Sequence, residues 1–136
     1  MPSLVSFTYS INPTDMSIVH DFNEYRERMN VRLLAHENRT LKRFWSLDAS
    51  AYEEGVLDRR TKEMLGLVSS MVLRCDDCIR YHLGKCHAEG LTTPELMEIF
   101  AIANLVGGSI VIPHTRRAME FWEALENESA RDSSGK

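Results

Sequence analysis

The chain predicts an all-α fold, a compact bundle of five to six helices. Apolar residues recur at helical spacing through most of its 136 residues, successive stretches open on capping residues, and no segment reads as a strand. The first helix is expected at Asn12-Pro13-Thr14-Asp15, where Asn12 can cap, Pro13 suits the first helical position and Asp15 favours the dipole. Ile18, Phe22, Tyr25, Met29 and Leu33 then share one face to about Ala35. A second helix, Asn38 to Glu54, carries Leu41, Phe44, Trp45 and Leu47 and ends at Gly55. Met64, Leu65, Val68, Met71 and Val72 mark a third, from about Asp58 to near Arg74. Asp76 or Asp77 can cap a fourth that runs to Glu89 and closes at Gly90. Thr92 or Thr93, ahead of Pro94-Glu95, opens a fifth. From Leu96 to Ile112 it is apolar on nearly every face, which predicts burial all round. Gly107-Gly108 implies a close approach, a kink or a break within it, and Pro113 an end or bend. His114 to Glu126 reads as a last amphipathic helix, followed by a loose tail over 127–136.

This length suits a single domain, 1–136, with a helical N-terminal extension (1–51) ahead of a motif-bearing core (52–126). Apolar residues at 43% and charged residues at 26% are ordinary globular values, so neither a disordered chain nor a membrane protein is expected. The net charge of −4 comes from 16 basic and 20 acidic residues interspersed with one another. Without a cationic stripe, nucleic acid is not expected as a partner. Met1 to Ile11 lacks the pattern of an export signal, and three cysteines including a close pair suit a reducing compartment, so a cytoplasmic location is expected.

The chemistry concentrates in Cys75-Asp76-Asp77-Cys78-Ile79-Arg80-Tyr81-His82. A thiolate, not a thiol, attacks disulfides and peroxides, so a working cysteine pair needs a proton acceptor, and His82 can serve. At about 100° per residue Cys78 and His82 lie one turn apart on one face, and a near-helical Cys75 joins them. The helix N-terminus favours the thiolate further. The residues alone leave two other readings open: Cys75 and Cys78 as small core hydrophobes, or a zinc site of Cys75, Cys78, His82 and a ligand from elsewhere. Cys86 cannot complete such a site from the same helix. It stands about 12 Å along from Cys78, whereas zinc holds its sulfurs within about 4 Å of each other. Cys86 reads instead as a buried structural thiol, and His87 points off the reactive face. Glu63 alone reads equally as a first-turn carboxylate favourable to its helix dipole.

Taken jointly, Glu63 twelve positions before Cys75, then Cys78 and His82, resemble the pattern of the carboxymuconolactone decarboxylase-like superfamily, specifically its alkyl hydroperoxidase D-like branch. The resemblance extends from about Tyr52 to Leu125, including the Glu89-Gly90-Leu91-Thr92 turn and Gly107-Gly108. It implies an all-helical subunit in a homo-oligomer, a homotrimer or homohexamer, with a dithiol site that reduces peroxides or protein disulfides. A peroxiredoxin, thioredoxin or lipoyl protein would be the redox partner, and no cofactor is implied. Carried over, Glu63 is the base, His82 the relay, Cys78 the activated thiol and Cys75 its disulfide partner. A reversible Cys75–Cys78 bridge is then expected, with Cys86 staying reduced. The chain departs from those relatives at Asp77, where they carry histidine or tyrosine; a negative charge beside a forming thiolate disfavours it. The decarboxylase branch, a lyase without the cysteine pair, is the alternative enzyme. A redox-sensing or metal-binding oligomer is the non-catalytic alternative.

Overall fold

Six α-helices make up the computed structural model, which describes residues 15–135. They are α1 (Asp15–Leu34), α2 (Arg39–Ala51), α3 (Arg59–Val72), α4 (Asp76–Ala88), α5 (Thr93–Gly107) and α6 (Ile112–Ser134), with a 3-10 turn at Ser109–Val111. No strand occurs among the described residues. The expected Asn12 cap and Pro13 start lie outside them. Asn38, Asp58 and Thr92 cap α2, α3 and α5, each accepting a backbone N–H from within the first turn.

Helix α3 packs against α4 and α5, α4 against α6, and α1 lies along α6. The shared core holds Leu67 and Met71 from α3, Ile79, Leu83 and Cys86 from α4, Leu96 and Phe100 from α5, and Phe121 and Trp122 from α6. Each large apolar side chain buried this way contributes about 1.5–3 kcal/mol. Phe22 meets Phe121 edge to face at 5.6 Å, which seats α1. Trp122 buries its indole and donates from Nε1 to the Thr93 hydroxyl, while His87 bonds Glu126 at 3.0 Å, well away from the cysteine pair. Helix α2 is different: none of its residues is buried, and Phe44 and Leu47 are exposed.

Several expected boundaries shift, each for a visible reason. Helix α2 stops at Ala51, not Glu54, because Lys62 Nζ takes the carbonyls of Ala51 and Glu53 at 2.9 and 2.6 Å and turns the chain away. Neither Asp76 nor Asp77 caps α4. Cys75 does, its sulfur accepting from Cys78 N–H, while both aspartates fall in the first turn. Helix α3 gives way through Arg74, whose φ of 59° is the one positive value at a non-glycine among the described residues. That left-handed step lets Cys75 N–H reach back to the Ser70 carbonyl at 3.0 Å.

Helix α5 is not buried all round. Leu96, Ile99, Phe100 and Ala103 face the core, but Met97, Ile102, Leu105 and Val106 are exposed, because α3 and the 3-10 turn cover one side only. Gly107-Gly108 ends the helix, Gly108 at a φ of 82°, and a Cβ on Gly107 would run into Val111. Pro113 starts α6 and does not end α5, for it sits in a first turn that needs no N–H from it. The expected loose tail is helical to Ser134: after Glu126 no glycine or proline intervenes before Gly135, and the Ser133 and Ser134 hydroxyls bond back to the turn above.

The α5 cap carries a pH signature. Glu95 closes a capping box with Thr92 and is bonded by Arg60 across from α3. The Thr92 backbone N–H first, then Arg60 and the Thr92 hydroxyl, hold its carboxyl down to about 2. Because the folded value lies below the ordinary 4.5, the stabilisation is full above that pH and is lost as pH falls towards about 2. Glu95→Gln should therefore flatten the acid limb of stability in that window, measured by denaturant melts at stepped pH.

Candidate functional site

Helices α3 and α4 bring the predicted quartet together. Glu63, in the second turn of α3, is 3% exposed and accepts a 2.7 Å hydrogen bond from Nδ1–H of His82, itself 7% exposed on α4. Glu63 is therefore a buried partner and not a solvated first-turn carboxylate. Cys75 and Cys78 are joined as a disulfide, Cα to Cα 5.2 Å, at the start of α4, with Cys75 half-buried and Cys78 exposed. His82 stands one turn beyond Cys78, and both line one cavity. With Nδ1–H committed to Glu63, the lone pair of the neutral imidazole is on Nε2.

That cavity, of about 350 Å³, lies between α4 and the N-terminal helices. Phe22, Tyr25, Arg26, Met29 and Asn30 of α1 and Asp48 of α2 wall it, opposite Asp77, Cys78, Tyr81 and His82. The Arg26 guanidinium lies 4.1 Å from the Tyr81 ring centroid, a cation–π contact that fixes the inner wall. The N-terminal extension is thus part of the site. Asp77 is mostly exposed and lies 3.9 Å from Arg80, so its charge has a cationic neighbour.

Tyr52 is a residue that sequence reasoning missed. It is the C-cap of α2, and its hydroxyl lies 3.4 Å from Nε2 of His82. Gly66 makes the room: a Cβ there would come within 2.6 Å of both the His82 ring and the Tyr52 hydroxyl. Asp76, expected as a possible cap of α4, has a different structural role. It bonds His114 Nδ1 at 2.7 Å and Arg117 Nε at 3.0 Å, tying the start of α4 to α6. Burial opposes its charge, but the His114 and Arg117 bonds outweigh that and hold its carboxyl below the usual range.

Cys86 is fully buried, and burial pushes its thiol up to about 12, with Glu63 adding to the effect. At neutral pH it is an inert core residue. Among the described residues no group of three or more His, Cys, Asp or Glu is placed to hold a metal ion. None of the described helices is long and apolar enough to cross a membrane.

The sequence model of the carboxymuconolactone decarboxylase family matches residues 38–121, more than half of the chain. The chain belongs to this family. Two crystal structures of one Thermotoga maritima member superpose with a TM-score of 0.79 at 50% and 48% identity, over 82% of this chain and 97% and 95% of theirs. For that protein, involvement in an antioxidative response has been suggested. A Legionella pneumophila family member is similar at 25% identity and a TM-score of 0.62, over 84% of this chain and 96% of its own. The uncharacterized protein 4 in the cox locus of Paracoccus denitrificans is 25% identical over 83 residues, 61% of this chain and 75% of that protein.

Within this family member the space at Gly66 is sensitive to a single added methyl. Gly66→Ala should destabilise the fold by about 1–3 kcal/mol, because the overpacked methyl meets a buried ring held on one side by Glu63. Denaturant unfolding checks the stability, and loss of the His82 nitrogen resonances' coupling to Glu63 checks the displacement.

Proposed function

We propose that this protein is a thiol-dependent oxidoreductase of the alkyl hydroperoxidase D-like type, reducing peroxides or protein disulfides through Cys75 and Cys78. The observation that carries this is the Cys75–Cys78 bridge whose Cys78 lines one cavity with His82, with Glu63 buried behind the imidazole. In the dithiol form, Cys78 gives its proton to Nε2 of His82 and the thiolate attacks the terminal oxygen of a hydroperoxide. The S–O bond forms as the O–O bond breaks, and the departing alkoxide takes the proton from the imidazolium. Cys75 then attacks the sulfenic acid; the S–S bond forms and water leaves. An external dithiol, from thioredoxin, a lipoyl protein or a small thiol, returns the two electrons, and a peroxiredoxin is a candidate downstream partner. Glu63 acts as the base behind His82, holding it in the tautomer that keeps Nε2 free of hydrogen.

The suggested antioxidative involvement of the Thermotoga maritima protein supports this class of activity. Both cysteines of the pair are present, which weighs against a decarboxylase-type lyase. A cytoplasmic, reducing setting suits a site that must be returned to the dithiol. The exposed apolar side of α5, Met97, Ile102, Leu105 and Val106, supports assembly into a homo-oligomer, a trimer or hexamer.

Steady-state peroxide consumption with alternative reductants tests the activity. Cys78→Ser should abolish turnover, and His82→Ala should lower it by about 10²–10⁴-fold. Glu63→Gln should lower it less, since the amide still meets Nδ1. Oxidation without turnover would make the protein a sensor, and neither oxidation nor turnover would revive the lyase. Mass mapping after mild peroxide should show the Cys75–Cys78 bridge with Cys86 free, and a dominant Cys86 bridge would count against the assignment. Sedimentation at micromolar concentration should show an oligomer; a folded monomer with α5 protected from exchange would refute the assembly.

A further inference from the structure

Both ring nitrogens of His82 are engaged in the disulfide form, Nδ1 by Glu63 and Nε2 by the Tyr52 hydroxyl. The nitrogen that must receive a proton from Cys78 is therefore already taken. Tyr52 does not share the cavity of Cys78. It lines a separate groove along α3 with Gly66, Ser69 and Leu73, and the His82 imidazole, which lines the Cys78 cavity, backs onto Gly66 of that groove. A phenol so placed occupies the acceptor without handing it the thiol's proton.

We propose that Tyr52 is a positioning residue that latches Nε2 of His82, withholding its lone pair from Cys78 until the α2 end swings the phenol away. This rests on the reading of His82 as the acceptor for Cys78. With the latch open, the S–H bond of Cys78 breaks and an N–H bond forms at Nε2, leaving a thiolate and an imidazolium; no electrons leave the pair. With it closed, O–H donation to Nε2 stabilises the neutral ring and opposes that transfer.

Three observations make the latch physical. The phenol is a donor at neutral pH, since burial first and the Glu63 charge second push its ionisation upwards. Gly66 leaves space for the hydroxyl and imidazole to meet. Helix α2 contributes no buried residue, and its C-terminal turn is tied to α3 by Lys62 through the carbonyls of Ala51 and Glu53. With no buried residue to hold it, the α2 end moves at low cost once that tether opens. The other titratable or charged groups facing His82 are Glu63 from α3, Asp48 from α2, Asp77, Cys78 and Tyr81 from α4, and Arg26 from α1, all common to the variants compared.

The test is the alkylation rate of Cys78 by iodoacetamide in fully reduced protein across pH, read peptide by peptide by mass spectrometry. Tyr52→Phe should move the midpoint to lower pH and speed alkylation at pH 7 by about threefold to tenfold, the equivalent of one hydrogen bond. Replacement of Tyr52 by 3-fluorotyrosine keeps the shape and strengthens the donor, so alkylation should slow, an opposite change that a merely structural role would not produce. Lys62→Met, which frees the α2 end, should act like Tyr52→Phe and to a smaller extent. The Tyr52→Phe/His82→Ala double variant should match His82→Ala, because Tyr52 acts only through that ring. If His82→Ala slows alkylation but Tyr52→Phe leaves it unchanged or slower, the latch is overturned while the function stands. If His82→Ala alkylates like the wild type, the acceptor role fails and the latch with it. The fluorotyrosine and Lys62→Met arms decide the matter should Tyr52→Phe not fold.

Discussion

The Glu63–His82 hydrogen bond is the constraint on which the rest of the structure depends. A carboxylate 3% exposed is tolerated only with a partner, and the imidazole one helix away is that partner. Removing either would leave the other's buried polar group without its partner, at a cost of about 1–3 kcal/mol. Helices α3 and α4 are thereby fixed in register, with the left-handed step at Arg74 and the sulfur cap at Cys75 fitted between them. Gly66, one turn beyond Glu63, is small because the imidazole needs its space. The cysteine turn follows directly from the end of α3 that this pair anchors, and Cys78 faces outward from it.

Cys75, Cys78 and His82 were legible because they stand within eight residues at the start of one helix, where sequence distance translates directly into space, whereas Glu63, on the helix before, was legible only through the family resemblance. Tyr52 was not. It reaches His82 across 30 positions from the C-terminal end of a helix that buries nothing, and no periodicity marks it. The cavity wall from α1 escaped for a related reason: Phe22 and Met29 read as core residues, and an apolar stripe does not say whether it meets a neighbour or a void. The cap of α4 went to Cys75 because Asp76, the stronger capping type, is drawn to His114 and Arg117 by contacts 38 and 41 positions away. Helix α5 shows the same limit in reverse, since apolarity on every face predicted cover that one chain does not supply.

Helix α2 buries none of its residues, yet it carries Tyr52 as its C-cap. Lys62 and Glu63 are adjacent on α3, so the residue that holds α2 and the residue that holds His82 share one turn. A displacement of that turn would reach both the wall of the site and its buried pair.

Arg74 decides how tightly the cysteine turn is set. A left-handed arginine costs about 1–2 kcal/mol that a glycine would not, yet glycine would also widen the conformations open to the chain just before Cys75. The stiffer residue, with Cys75 N–H anchored on the Ser70 carbonyl, narrows the paths by which the chain enters α4, so the disposition of the two sulfurs on a single turn is written into the backbone and not into any side chain of the cavity.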